Sequence, residues 1–127
     1  MSDEHFLIRL EPVVLVGIGG FAGSNLRYFV AGLLPGPSGT LVANAVGSFV
    51  LGFILYEAMY SGLLSSKTHW VAATGFLSSF TTYSTFALQT ALVSAPILML
   101  ANVLANYALG FGAVLLGREF ARIVEVQ

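Results

Sequence analysis

Four long apolar stretches constrain this sequence more than any other feature. They cover about 12–34, 39–60, 68–93 and 96–117, and short breaks rich in glycine, serine and proline separate them. A helix needs roughly 20 apolar residues to cross the hydrocarbon core of a bilayer, so each stretch is long enough. Lipid offers no water to unpaired backbone groups, which favours helices over open strands. The sequence therefore predicts an all-α membrane protein, with residues 1–127 forming a single domain of four transmembrane helices. Pro12 and Pro96 are expected to begin helices.

The composition agrees with a membrane solvent. Charged residues make up 9% of the 127 residues, and hydrophobic residues make up 57%. A soluble domain carries roughly 25% charged residues, so this chain cannot cover a water-facing surface. The formal net charge is −1 without a basic cluster, so no nucleic acid partner is expected. Cysteine is absent, and no nucleophile–base or metal-ligand set indicates an enzyme.

The distribution of basic residues predicts an orientation. Four spans place both termini and the loop between the second and third spans on one side of the membrane. Four of the five basic residues lie on that side: Arg9, Lys67, Arg118 and Arg122. The positive-inside rule then predicts cytoplasmic termini in a multi-pass protein of the cell (plasma) membrane.

Polar side chains lie inside the predicted spans, where lipid would disfavour them. Side chains of this kind recur at four-residue spacing in the second and fourth spans: Thr40, Asn44 and Ser48, then Asn102 and Asn106. In the third span, seven of the eight residues 78–85 bear a hydroxyl. Any one of these groups could simply bond to its own helix or to a neighbouring helix. Hydroxyls on every side of one helix cannot all avoid lipid, so the third span is predicted to be broken and to line water, an ion or another subunit.

The chemistry of these groups favours an anion. Amides and hydroxyls can donate hydrogen bonds, whereas no carboxylate lies in the middle of any span, as a cation pathway would require. Tyr83 and Phe86 are one helical turn apart and can present electropositive ring edges, although ordinary helix packing explains them equally well. Arg27 either snorkels to the membrane interface or raises the local anion concentration at a vestibule.

Three motifs stand out in the spans: GIGGFAGSNLRY at 17–28, NAVGSFVLG at 44–52 and, most specifically, GFLSSFTTYSTF at 75–86. They resemble motifs of the CrcB/Fluc fluoride channels. The resemblance extends over residues 13–118. It implies an antiparallel, dual-topology dimer that passes fluoride passively out of the cytoplasm and so reduces fluoride toxicity. It also implies two fluoride pathways and one structural Na⁺ at the centre of the dimer.

The resemblance assigns roles to individual residues. Asn44 matches the pore asparagine, and Tyr83 and Phe86 match the aromatic pair beside the ion. The backbone carbonyls of Ser78 and Thr81 match the Na⁺ ligands at the break in the third span. Together with the polar stripes, the motifs predict an anion pathway made of Arg27, Asn44, Ser48, Thr82, Tyr83, Ser84, Thr85, Phe86, Asn102 and Asn106.

The sequence also departs from the family pattern. Ser78 replaces a glycine, so a backbone angle that only glycine accepts would be lost. Tyr83 replaces a phenylalanine, and Asn102 and Asn106 replace a tyrosine and a serine, so one of the two pathways is expected to differ from the other.

The partner and the activity each have alternatives. The four-to-one bias of basic residues favours one fixed orientation and an oppositely oriented homologous subunit, and pairing with a second copy of the same chain is the alternative. A small proton-coupled multidrug-type exporter and a non-conducting structural subunit of a heterodimeric fluoride channel are the alternative functions.

Overall fold

Helices account for most of the protein, whose computed structural model describes residues 2–126. No strand occurs within this range. We number five helices in chain order: α1 (Ser2–Leu33), α2 (Pro37–Tyr56), α3 (residues 66–80), α4 (Ser84–Leu92) and α5 (Pro96–Val126). The predicted all-α class is confirmed.

Two of the helices contain wide π-helical turns. The end of α2 continues into a π-helical turn, Glu57–Ser61, which Gly62 terminates with a left-handed φ of 62°. Helix α3 consists of Ser66–His69, a π-helical part Trp70–Leu77 and a last turn Ser78–Phe80. π-helical turns often occur at functional sites, and this one leads directly into the hydroxyl-rich motif.

The prediction that Pro12 begins a helix is wrong. Pro12 lies inside α1, which starts at Ser2 and includes the charged residues before the proline. The Lys67 amino group forms an ion pair with Glu11 at 2.7 Å, and so ties this extension to α3. A proline inside a helix removes one backbone hydrogen bond, at a cost of about 3 kcal/mol.

Three helical segments in residues 2–126 are long and apolar enough to cross a membrane: Asp3–Leu33, Pro37–Ser61 and Pro96–Val124. They correspond to the first, second and fourth predicted spans. The third predicted span is divided between α3 and α4, which are separated by residues 81–83. The expected break in the third helix is therefore present.

Glycines allow α1 and α3 to approach closely. An added Cβ at Gly19 would overlap the backbone of Val71, and one at Gly23 would overlap the backbone of Phe76. The contact positions advance in the same direction along both helices, so α1 and α3 run parallel. Small residues at such close contacts are typical of helix pairs in membranes.

A second parallel pair forms between α2 and α5. Ser48 lies beside Gly110, and further along Gly52 lies against the backbone of Val114. Aromatic rings add to the contact, with Phe49 and Phe53 at 5.9 and 6.0 Å from Phe120. Only residues 34–36 join α1 to α2, and helices joined by so short a loop are antiparallel neighbours, so the two parallel pairs run in opposite directions.

The protein has a small buried core and a large apolar exterior. Among the described residues, the buried hydrophobic side chains are Ala43, Ile54, Leu77, Phe80, Phe86 and Ala121. Large apolar side chains cover the outer surface instead, including Phe21, which is 75% exposed. Such an extended apolar surface indicates contact with lipid or with another protein.

Candidate functional site

The break between α3 and α4 is closed by the side chain of Asn44. Thr81 is extended, with φ −78° and ψ 155°, and so ends α3. The next residue, Thr82, donates its N–H to Asn44 Oδ1 at 2.7 Å, and its carbonyl accepts from Asn44 Nδ2 at 2.9 Å. A single amide from α2 thus satisfies both backbone groups of the unwound residue, as lipid requires.

Thr81 and Thr82 use their hydroxyls to end one helix and begin the next. Thr81 donates both its N–H and its Oγ1 to the carbonyl of Leu77, at 3.0 and 2.8 Å. Thr82 Oγ1 accepts the N–H of Thr85 at 3.2 Å, in the manner of a helix N-cap. Thr82 is buried, with 8% of its surface exposed. These two hydroxyls therefore have a structural role in the break.

The two aromatic residues of the predicted pair differ sharply in exposure. Phe86 is 7% exposed, whereas Tyr83 is 72% exposed. Their ring centroids lie 5.8 Å apart with a tilt of 54°. On its other side, Phe86 meets Tyr107 of α5 in an edge-on arrangement at 6.3 Å. One ring is thus fixed in the protein while its neighbour faces outward.

A groove of about 490 Å³ brings most of the predicted residues together. It lies between α2, the break and α5. Eight residues singled out in the sequence line it: Asn44, Ser48, Ser78, Thr81, Thr82, Tyr83, Phe86 and Asn106. None of its lining residues is charged, so the groove combines an apolar wall with neutral hydrogen-bonding groups.

A second cavity of about 320 Å³ lies on the other side of the break. It contains Arg27, its one charged lining residue, together with Thr85 and Thr82. Because Thr82 also lines the groove, it forms part of the wall between the two spaces. The guanidinium makes this cavity favourable for negative charge.

Two predicted residues lie apart from these cavities. Ser84 is exposed, and its hydroxyl is 3.4 Å from Thr82 Oγ1. Asn102 donates its amide to the Thr90 hydroxyl at 2.7 Å instead of lining the groove. Each of the two reaches the other predicted pathway residues through a hydrogen bond, Ser84 to Thr82 and Asn102 to Asn106.

Asn106 differs from its expected donor role. Its Nδ2 donates to the carbonyl oxygen and to Oδ1 of Asn102, at 2.8 and 3.1 Å. Its Oδ1 is buried and has no hydrogen-bond partner among the described residues. The amide donor is therefore directed along α5, and the unpaired group is an acceptor.

Sequence reasoning missed one polar residue in each cavity. Tyr107 lines the groove beside Asn106, and Gln89 lines the second cavity together with Thr40 of the predicted polar stripe. Gln89 follows Thr85, another lining residue of that cavity, by four residues, which is the spacing of neighbours on one helix face. That spacing was the available signal for Gln89.

The backbone at Ser78 does not require glycine. Ser78 has φ −65° and ψ −24°, which any residue adopts. Its hydroxyl donates to the carbonyls of Thr74 and Gly75 within the π-helical part of α3. The expected loss of a glycine-specific angle is therefore wrong for this conformation.

Comparison with known proteins identifies the family. Residues 14–118 match the family model described as CrcB-like protein, Camphor Resistance (CrcB). Over 123 residues the chain is 56% identical to the fluoride-specific ion channel FluC 1 of Haloarcula marismortui, covering 97% of the chain and 95% of that relative. It is 55% identical to FluC 2 of Halobacterium salinarum, covering 90% of the chain and 89% of that relative. It is also 54% identical to FluC 1 of Natronomonas pharaonis, covering 91% of the chain and 98% of that relative. The protein, a multi-pass membrane protein by its long apolar helices, belongs to the CrcB family.

Proposed function

We propose that the chain is a subunit of a fluoride-selective ion channel that lets fluoride leave the cytoplasm passively. Relatives that match nearly the whole chain are named fluoride-specific ion channels. The single structural observation that carries the proposal is the uncharged groove, in which the buried Phe86 lies beside the break that Asn44 closes. Such a channel would reduce fluoride toxicity.

The groove can replace part of the hydration shell of a small anion. Asn44 Nδ2 uses one hydrogen for Thr82 and keeps a second for an ion. The hydroxyls of Ser48 and Tyr83 supply further donors, and the edge of the Phe86 ring is electropositive. No carboxylate among the lining residues would repel the anion. Arg27 in the second cavity would raise the local fluoride concentration at one entrance.

We propose that α3 and α4 together make the third of four crossings of the plasma membrane. The support is the alternation of chain directions, with α1 parallel to α3 and α2 parallel to α5. The bonds between Asn44 and Thr82 satisfy the backbone where the crossing is interrupted. Both termini would then lie in the cytoplasm, the side that the basic residues predict.

We further propose that the channel is an antiparallel dimer. The groove lies partly at the surface, and Tyr83 at its edge is 72% exposed, so a second subunit is needed to complete the wall. The large apolar exterior offers room for such an interface in addition to lipid contact. The partner is an oppositely oriented homologue or a second copy of the chain.

We also propose that a structural Na⁺ binds at the break between α3 and α4. The N–H of Thr82 is bound to Asn44, so the Ser78 carbonyl lacks the donor that an unbroken helix would give it. The carbonyl of Thr81 belongs to extended backbone. Unwound carbonyls of this kind suit Na⁺, and the ion would neutralise their partial charges at the dimer centre. Ser78 and Thr81 would hold it through backbone oxygens.

A cellular assay tests export. A bacterial strain that lacks its own fluoride channel should grow at higher fluoride concentration when it produces this chain, alone or with a homologue. Protection should be lost with Phe86→Ile and kept with Phe6→Ile, which changes an exposed ring near the start of α1. Growth no better than that of cells with an empty vector, under both conditions, would contradict the proposal.

Labelling of the termini separates the two dimer types. A cysteine added at either terminus of this cysteine-free chain can be labelled from one side of the membrane or from the other. A fixed orientation predicts labelling from the cytoplasmic side. Equal labelling from both sides would contradict the heterodimer and support pairing of the chain with itself.

A further inference from the structure

A hydrogen-bonded bridge connects α5 to the helical turn that carries Phe86. Asn102 Nδ2 donates to Thr90 Oγ1 at 2.7 Å, and Thr90 Oγ1 donates to the carbonyl of Phe86 at 2.7 Å. The two bonds join one face of α5 to the backbone of the residue whose ring lines the groove. Asn102 itself lies outside the groove, so it can act on an ion only through α4.

Helix α4 needs this external support. It has nine residues, Ser84–Leu92, and isolated helices of that length are marginal. Its beginning is fixed because Asn44 binds Thr82 and Thr82 caps Thr85. Towards its other end, Asn102 is the side chain of α5 that reaches across to Thr90. Phe86 lies between the two attachment points.

A further contact orients Asn102. Asn106 Nδ2 donates to Asn102 Oδ1 at 3.1 Å, and so its amide oxygen faces along α5 while its nitrogen points to Thr90. The donors thus run in one direction from Asn106 through Asn102 and Thr90 to the Phe86 carbonyl. This order leaves Asn106 Oδ1 as the unpaired end of the chain.

We propose that Asn102 and Thr90 are positioning residues that hold α4 at the distance from α5 at which the Phe86 ring forms the wall of the ion pathway. The proposal rests on the proposed function for its effect on fluoride, but the bridge itself can be measured independently. Loss of either side chain should let α4 move relative to α5, and the Phe86 ring should change its environment against Tyr107.

The test uses the full chain with 4-fluorophenylalanine incorporated at residue 86, observed by ¹⁹F NMR in membrane mimetics. Thr90→Val and Asn102→Leu should each shift or broaden this resonance, and the double variant should change it no more than either single variant. Thr90→Ser keeps the hydroxyl and should leave the resonance in place. Asn25→Leu is the matched control, because the Asn25 amide donates only within α1, to Phe21.

Fluoride efflux from liposomes gives the functional readout on the same variants without the label. Thr90→Val and Asn102→Leu should reduce the rate about 3- to 18-fold, the range for losing one hydrogen bond between membrane helices. Thr90→Ser should restore it. If a variant does not fold, Thr90→Ala removes the same hydroxyl with a smaller side chain.

The two proposals fail in different ways. An unchanged ¹⁹F resonance in Thr90→Val and in Asn102→Leu would overturn the bridge, whatever the flux. Additive changes in the double variant would overturn the coupling between the two residues. Shifted resonances in Thr90→Val and Asn102→Leu, together with an unmutated chain that passes no fluoride even with a homologue, would leave the bridge standing and overturn the proposed function.

Discussion

The Asn44 side chain of α2 forms both of its hydrogen bonds to the backbone of Thr82, at 2.7 and 2.9 Å. This paired contact joins residues that are 38 positions apart and lies between the two cavities that Thr82 lines. An asparagine amide has one donor face and one acceptor face, so it can satisfy a peptide N–H and a peptide carbonyl together. The unwound residue is thereby stabilised without water.

Replacement of Asn44 by alanine should destabilise the break. Two buried backbone groups of Thr82 would lose their partners, each at about 1–3 kcal/mol. Thermal unfolding in detergent should therefore show a clearly lower Tm for Asn44→Ala. Asn25→Ala is the control, since its amide bonds only to Phe21 in the preceding turn. Equal Tm values for the two variants would contradict a structural role for the Asn44–Thr82 pair.

The two aromatic residues of the groove should respond differently to substitution. Phe86→Ile removes a buried ring and its electropositive edge, so fluoride flux should be abolished. Tyr83→Phe keeps the ring and removes one donor hydroxyl at the edge of the groove, so flux should fall less than in Phe86→Ile. Fluoride efflux from liposomes measures both. Undiminished flux in Phe86→Ile, in protein with an unchanged elution profile, would remove Phe86 from the pathway.

The sequence predicted the features that depend on local pattern. Long apolar runs predicted the helices, and clustered hydroxyls predicted the break in the third span. Each of these follows from rules that act within one helix or between adjacent helices. The start of α1 was misplaced because proline is common at the first position of a helix, whereas here the residues before Pro12 are helical and Glu11 pairs with Lys67.

The hydrogen-bond partners could not be predicted from residue types. Three asparagines of the same residue type have different partners. Asn44 binds Thr82 at the break, Asn102 donates to Thr90, and Asn106 donates to Asn102 on its own helix. Which direction an amide takes depends on what the tertiary fold places opposite it. The second cavity was missed for the same reason, because Gln89 of α4 and Arg27 of α1 line one cavity only in the tertiary fold.

Two glycines of α5 should respond to alanine with opposite signs. An added Cβ at Gly117 would overlap the backbone of Phe49, so Gly117→Ala should destabilise the α2–α5 contact by about 1–3 kcal/mol. No atom lies within 4 Å of an added Cβ at Gly112, so Gly112→Ala should stabilise the helix by about 0.5–1 kcal/mol. Unfolding in detergent measures both. A similar loss of stability in both variants would mean that Gly112 also lies in a close contact.

Glu57 should hold the loop between α2 and α3 in place. Its carboxylate is 3% exposed, accepts the Leu64 N–H at 2.6 Å and lies 2.9 Å from His69 Nε2. Glu57→Ala should lower the Tm more than Glu57→Gln, because glutamine keeps an acceptor for Leu64. Proteolysis of the loop checks the cause, since only the alanine variant should be cleaved faster. Equal cleavage of both would show that the charge on Glu57, rather than the bond to Leu64, fixes the loop.

Fluoride efflux from liposomes tests the central claim most directly. Vesicles that contain the purified chain, alone or with an oppositely oriented homologue, are loaded with potassium fluoride, and a fluoride electrode records release after a potassium ionophore is added. The chain should release fluoride rapidly without a proton gradient, and vesicles loaded with potassium chloride should release almost no chloride. Release no faster than from protein-free vesicles, in both preparations, would contradict the account.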